Sequence, residues 1–264
     1  MSAVKDLRVT VVQTELIWED VAANVDSLAK KLSAVKAGAT DVIVLPEMFG
    51  TGFTMNAVKV AETMKGKAVA WMRAMAAEKE CCIAGSLVIK EESRNYNRLI
   101  WMRPDGSYDT YDKRHLFRMG EEQHTYSAGN KLLIVTLNGW KICPLVCYDL
   151  RFPVWSRNAD NRYDCLIYVA NWPNKRSYAW RQLLIARAIE NLSYVVGVNR
   201  IGADGNGIEH SGDTAVTDAK GEIISMTKSG EESVETVVLS WNALQEYRKN
   251  FPAAMDADKF RLIN

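Results

Sequence analysis

WKICPLVCYDLRFP, residues 140–153, is the stretch on which the reading of this chain turns. Trp140–Val146 is apolar enough for a strand, and the preceding Asn138-Gly139 pair is a two-residue hairpin turn leading back to Leu132–Leu137. The strand runs into Cys147, then Tyr148, Asp149, Leu150, Arg151, Phe152 and Pro153. A cysteine placed there has four readings: a small buried hydrophobe, half of a disulfide, a metal ligand or a nucleophile.

Composition narrows the four. The chain has 264 residues and five cysteines, at positions 81, 82, 143, 147 and 165. The number is odd and no CxxC pair occurs, which argues against a disulfide framework and for a reducing, cytoplasmic setting. CxxxC at 143–147 is a poor zinc signal, and His115, His124 and His210 are too few for a histidine-rich metal site. The 33 basic and 32 acidic residues leave a net charge of +1 without any single-sign block. Neither nucleic acid nor an anionic membrane is indicated as a partner. No apolar run approaches the roughly 18 residues of a membrane span, and the N-terminal run Val9–Val12 is too short for a signal-peptide core.

Outward from 140–153, short β-branched segments alternate with helical patterns. Strands are expected at Leu7–Gln13, Thr40–Leu45, Cys82–Val88, Asn97–Met102, Tyr108–Asp112, Tyr163–Ala170, Ser193–Asn199 and Ser233–Leu239. Val21, Val25, Leu28, Leu32 and Val35 share one face of a helix over Val21–Lys36, which Gly38 closes. Further helices are expected over 66–80, Tyr178–Asn191 and 241–249, and a short one within Phe152–Asn158. Residues 213–217 and 222–226 read as a hairpin around DAKG, and GADGNG at 202–207 as a flexible loop without a dinucleotide fingerprint. The pattern predicts one α/β domain over residues 1–264, with mixed sheets covered by helices.

In such sheets ligands gather beyond the carboxyl ends of strands. Glu47 follows VIVLP, Lys113 follows SYDTYD, Cys147 follows KICPLV, and Asn171-Trp172-Pro173 follows CLIYVA. Alone, each is equally a solvated glutamate, a surface lysine or a buried thiol. Together they make a chemistry. A thiol of ordinary pKa about 8.5 is mostly protonated at neutral pH and needs a base or a positive neighbour to attack a carbonyl. Glu47 can take the proton. Lys113, with the backbone N–H of Tyr148, can hold the oxyanion of a tetrahedral intermediate. No cysteine-protease signature surrounds Cys147 and no G-x-S-x-G elbow is present.

LPEMF around Glu47, YDKRHLF around Lys113 and VCYDLRFP around Cys147 stand in the order of the three catalytic segments of the nitrilase superfamily, which the chain resembles. RAIENLSYVVGVNR (187–200) and HSGDTAVTDAKGEII (210–224) extend the likeness over nearly the whole chain. PEMFGTGFTM, ICPLVCYDLRFPVWSRN and YVANWP are similar to the ω-amidase branch, whose bacterial members include 2-oxoglutaramate amidases. The resemblance implies a four-layer α-β-β-α sandwich, a homodimer or higher homo-oligomer, and no metal or organic cofactor. It implies hydrolysis of the terminal amide of a small 2-oxo dicarboxylic acid monoamide (2-oxoglutaramate or 2-oxosuccinamate), with a Glu47–Lys113–Cys147 triad and a thioester intermediate. It also implies a second glutamate, for which Glu122 is favoured over Glu121. Arg176 is the candidate for the distal carboxylate, with Phe53 and Trp172 as apolar walls. Arg151 and Asp149 are expected to support the nucleophile turn. The alternatives are an N-carbamoyl amide hydrolase, a true nitrilase, or a nitrilase-like interaction module without catalysis.

Overall fold

The strand that ends at Cys147 lies in the interior of a sheet, which is why it can be apolar on both faces. The structure, a computed structural model, describes residues 4–262. Its elements begin with β1 (Leu7–Gln13), α1 (Val21–Leu32), β2 (Val42–Val44), α2 (Ala57–Val60), α3 (Lys67–Lys79) and β3 (Cys82–Glu91). β4 (Arg94–Met102), β5 (Tyr108–Asp112), α4 (Glu122–Thr125), β6 (Val135–Leu137), β7 (Trp140–Val146) and α5 (Pro153–Ser156) follow. The chain continues through β8 (Cys165–Ala170), α6 (Ser177–Asn191), β9 (Tyr194–Asn199), β10 (Ile201–Ala203) and β11 (Glu209–Ser211). It then forms β12 (Ala215–Thr217), β13 (Ser233–Leu239) and α7 (Trp241–Asn250).

Two mixed sheets result, ordered β13-β1-β2-β3-β4-β5 and β12-β9-β8-β7-β6. Each has a parallel centre, β1-β2-β3 in one and β7-β8-β9 in the other, flanked by antiparallel strands. Period-two alternation sorts the side chains. Val9, Val11, Val44, Leu99 and Trp101 share a core with Leu145, Val169 and Val198 of the other sheet. Their neighbours Ile43, Ile83, Ile100 and Met102 pack instead with Leu28 and Leu32 of α1 and Met72 and Ala76 of α3. α6 covers the outer face of the second sheet so closely that a Cβ on Gly197 would lie 2.5 Å from Leu184 Cδ1. Helix, sheet, sheet, helix is the four-layer sandwich expected from the resemblance. Each fully buried Val or Leu in it contributes roughly 1.5–3 kcal/mol.

Local departures have local causes. α1 stops at Leu32, where the Ser33 hydroxyl donates to the Lys30 carbonyl (2.7 Å). Gly38, at φ +67°, therefore does not close that helix; its N–H donates to Lys79 O at the end of α3 (2.9 Å). GADGNG is not a free loop. It is the tip of the β10–β11 hairpin, with Asp204 Oδ1 accepting from the N–H groups of Asn206 (2.8 Å) and Ile208 (3.0 Å). Its arms have three residues each, too short for a periodic signal. The return arm 222–226 makes one bridge, Thr217↔Ile223, and no strand. There the Ser225 side chain, rather than a carbonyl, accepts the Val216 N–H (2.9 Å).

Candidate active site

Four strand ends converge at the carboxyl edge of the sandwich. Glu47 follows β2, in a turn pinned to β3 by Met48 N donating to Ser86 Oγ (2.9 Å) and Phe49 N to Ser86 O (3.1 Å). Its carboxylate is fully buried. Oε1 accepts from Lys113 Nζ (2.9 Å) and Asn97 Nδ2 (2.8 Å), and Oε2 from the Asn171 N–H (2.8 Å). Asn171, just beyond β8, also donates its side-chain amide to Glu47 O.

Lys113 lies one residue past β5. Its backbone continues the ladder, N–H to Asn97 O (3.0 Å) and carbonyl from the Gly129 N–H (3.0 Å). Gly129 must be glycine, because a Cβ there would stand 2.2 Å from Asp112 O. Lys113 Nζ also lies 3.0 Å from Glu122 Oε2. Burial works against the ammonium, but Glu122 and Glu47 outweigh it and hold its pKa well above the ordinary lysine value.

Of the two adjacent glutamates, Glu122 is buried at the head of α4, whereas Glu121 has 72% of its side chain exposed. Glu121 adopts φ +59°, which turns it outward toward His124 (3.3 Å). Glu122 Oε2 accepts the Phe117 N–H (2.6 Å). Burial raises the Glu122 pKa, with Lys113 opposing.

Cys147 is 9% exposed and sits at φ +45°, a left-handed conformation that costs a non-glycine residue about 1–2 kcal/mol. The chain there leaves β7 and enters a 3₁₀ turn, Cys147–Arg151. Burial first, then the charge of Glu47, pushes the thiol pKa well above the ordinary cysteine value. In the resting site it is therefore a neutral thiol beside a carboxylate. Tyr148 is the second residue of the turn, and its N–H is one of the leading donors that the turn's own pattern leaves unpaired. Burial and the charge of Glu47 both disfavour a free thiolate, so the arrangement suits proton transfer to Glu47 as the sulfur attacks.

Asp149 holds the turn. Oδ2 accepts from the Val146 N–H (3.1 Å) and Tyr111 Oη (2.8 Å). Oδ1 accepts from the His115 N–H (3.0 Å) and lies 2.7 Å from His115 Nδ1. One buried carboxylate thus joins the Cys147 turn to the segment that carries Lys113. Arg151 behaves otherwise than expected: its guanidinium lies over the Trp172 ring (5.0 Å). Arg187 of α6 bonds the turn instead, Nη2 to Leu150 O (2.7 Å).

Phe53 lies under Lys113 Nζ (5.2 Å), and Phe117 bridges it to the Tyr148 ring (6.4 and 5.1 Å between centroids). The Arg176 guanidinium stacks over Phe117 (5.3 Å) and has no carboxylate partner among the described residues. Trp172 is buried, with Nε1 donating to Arg176 O (2.8 Å). Asn97 and Tyr111 are the site residues that the strand-end reading does not single out, whereas Asn171 stands at one of the four strand ends it names. Grooves of about 420 and 340 Å³ flank α7, the first lined by Lys141 and Asp164 at the amino ends of β7 and β8, opposite this chemistry. Among the described residues no cluster of three His, Cys, Asp or Glu could hold a metal ion, and no helix is long and apolar enough to cross a membrane.

Known proteins match this architecture. The carbon-nitrogen hydrolase family matches residues 8–249. The chain is 48% identical over 256 residues to Omega-amidase YafV of Escherichia coli K12, covering 97% of this chain and 98% of that one. It is 31% identical to the 2-oxoglutaramate amidase of Bacillus subtilis, over 83% and 85% of the two chains. In structure it is similar to XC1258 of Xanthomonas campestris, a CN-hydrolase superfamily protein with an arsenic adduct in its active site. The TM-score is 0.95 and the identity 45%, covering 97% of this chain and 99% of the other.

Proposed function

The chain belongs to the carbon–nitrogen hydrolase family and is an amidase of that family, and from that premise we propose a cysteine-dependent ω-amidase acting through a thioester. The carrying observation is the buried Glu47–Lys113 ion pair with the buried Cys147 thiol under the charge of both. Glu47 takes the thiol proton as Cys147 Sγ attacks the amide carbon. Glu47 and Glu122 occupy two of the three Lys113 hydrogens, leaving one for the oxyanion beside the Tyr148 N–H. Collapse breaks the C–N bond, and Glu47 returns the proton to the departing ammonia. Water then gives a proton to Glu47 and attacks the thioester; collapse releases the carboxylic acid and restores the thiol. Glu122 orients Lys113 throughout.

The substrate read from the wall is a short amide with a distal carboxylate, such as 2-oxoglutaramate or 2-oxosuccinamate. Arg176 offers a guanidinium held on Phe117, and a bidentate pair is the geometry a carboxylate takes. Phe53 and Trp172 line the apolar path. Arg176→Ala is expected to raise KM for such a monoamide about 10- to 100-fold, the loss of one charge-assisted contact. Activity on an uncharged short amide should stay near wild type. An unchanged KM removes Arg176 from the pocket.

All of residues 1–264 are read as one catalytic domain. Exposed Tyr178 and Ile189 on α6 support a homo-oligomer, and five free cysteines support a cytoplasmic setting. The test of the function is ammonia release over a panel of ω-amides, nitriles and N-carbamoyl compounds. Turnover confined to ω-amides is expected. Turnover of nitriles alone, or carbon dioxide released with the ammonia, would replace this reading with one of the alternatives.

A further inference from the structure

Asn97 lies on a strand face that should be apolar. Leu99 and Trp101, two and four residues on, sit in the core between the sheets, and Asn97 is as fully buried as they are. Burying an amide costs free energy unless its polar atoms find partners. Asn97 Oδ1 finds none among the described residues, so the cost is not removed. The amide nitrogen, however, donates both to Glu47 Oε1 (2.8 Å) and to Glu122 Oε1 (3.2 Å). Lys113 Nζ reaches the same two oxygens (2.9 and 3.1 Å). The four atoms close a ring in which two carboxylate oxygens are bridged twice, once by a cation and once by a neutral amide. The orientation of the amide is forced, since its oxygen in place of the nitrogen would face two carboxylates. The same residue also accepts the Lys113 backbone N–H (3.0 Å).

We infer that Asn97 is a positioning residue of the amidase, holding the base Glu47 and the second glutamate Glu122 at fixed separation around Lys113. Lys113 supplies the charge that lets both carboxylates exist side by side. Its flexible stem does not by itself fix where Glu47 Oε1 points. The amide, on a rigid strand, fixes that direction and leaves Oε2 to the Asn171 N–H and the thiol side. The inference rests on the catalytic roles proposed for Glu47 and Cys147.

The test compares Asn97→Leu, close in shape and without donors, with wild type. Hydrolysis of 2-oxoglutaramate should show kcat lowered about 10- to 100-fold with KM within about threefold, as misplacement of a catalytic group gives. With one donor to Glu47 gone, the acid limb of kcat/KM should move up by about half to one pH unit. The charged and titratable groups facing that base are Lys113, Glu122 and Cys147, with Tyr126 beyond them. The substitution leaves each of these side chains in place, and Glu122 loses the same amide donor as Glu47.

Alkylation by iodoacetamide gives a readout independent of substrate. The other four cysteines are 0–3% exposed against 9% for Cys147, so the probe reads the nucleophile. Its rate at neutral pH should fall about tenfold in Asn97→Leu. A folded variant with unchanged kcat, pH limb and alkylation rate reduces Asn97 to core packing. If Asn97→Leu does not fold, Asn97→Ser, too short to reach both carboxylates, is held to the same outcomes. A wild-type protein inert toward every ω-amide would sink the substrate reading, while the alkylation rates would still decide the role of Asn97.

Discussion

Cys147→Ala is expected to fold and to release ammonia from 2-oxoglutaramate at least about 10⁴-fold more slowly than wild type, since removal of a nucleophile costs rates of that order. Folding should survive because alanine is smaller and the turn is held elsewhere. Asp149 caps the Val146 N–H and Arg187 holds Leu150 O, and neither contact uses the sulfur. Alanine also tolerates φ +45° no worse than cysteine does. Substrate should still bind, because Arg176, Phe53 and Trp172 are untouched. In wild type, rapid quenching with a slow amide should trap an adduct on Cys147 by intact mass, absent in Cys147→Ala. Ammonia release by Cys147→Ala at the wild-type rate would end the thioester mechanism.

Lys113→Met should be the largest combined loss of stability and activity in the chain. The wild-type ammonium is buried between two buried carboxylates. Removing the cation leaves Glu47 and Glu122 facing each other in a low dielectric, and breaking such a buried pair costs about 3–5 kcal/mol. For a domain of this size that is a fall in Tm of about 6–20 °C. The sign with pH follows from the carboxylates. Without Lys113 their folded pKa values rise above those in the unfolded chain, so the folded state binds more protons and loses stability as pH increases. The gap between wild type and Lys113→Met should therefore be small near pH 4–5 and wide at pH 8. Adding Glu122→Gln removes one of the two charges, and the double variant should recover part of the lost Tm. Loss of an oxyanion donor lowers kcat by about 10²–10³-fold in both. A pH-independent difference in Tm, or none, would mean that the two carboxylates do not depend on Lys113.

Much of this was legible from the chain because it is local. β1, β7 and β13 fall on the residues where periodicity and the Asn138-Gly139 turn put them, and α6 differs from expectation by one residue. The three-residue arms β10 and β11 escaped for the same reason, being too short to show a period. Sites are less local. Glu47, Lys113 and Cys147 could be named as strand-end residues, but their separation of up to 100 positions carries no distance information. Glu121 and Glu122 are the same residue type in adjacent places, and only the left-handed backbone at Glu121 sends one to solvent and the other to Lys113. Arg187, given no part in the sequence reading, bonds the nucleophile turn while Arg151 lies over Trp172, because a long side chain bonds whatever the packing brings near it.

The sequence by itself therefore determined most of the longer strands and helices, the α/β class with mixed sheets, and the three candidate side chains at the strand ends. These follow from periodicities of two and 3.6 residues and from the chemistry a thiol needs. Tertiary structure alone decided which glutamate faces Lys113, that Asp149 joins the Cys147 turn to His115, and that Asn97 bridges Glu47 to Glu122. The physical reason is that a buried hydrogen bond is set by angles and distances of tenths of an ångström between residues remote in the chain, and no sequence spacing encodes these.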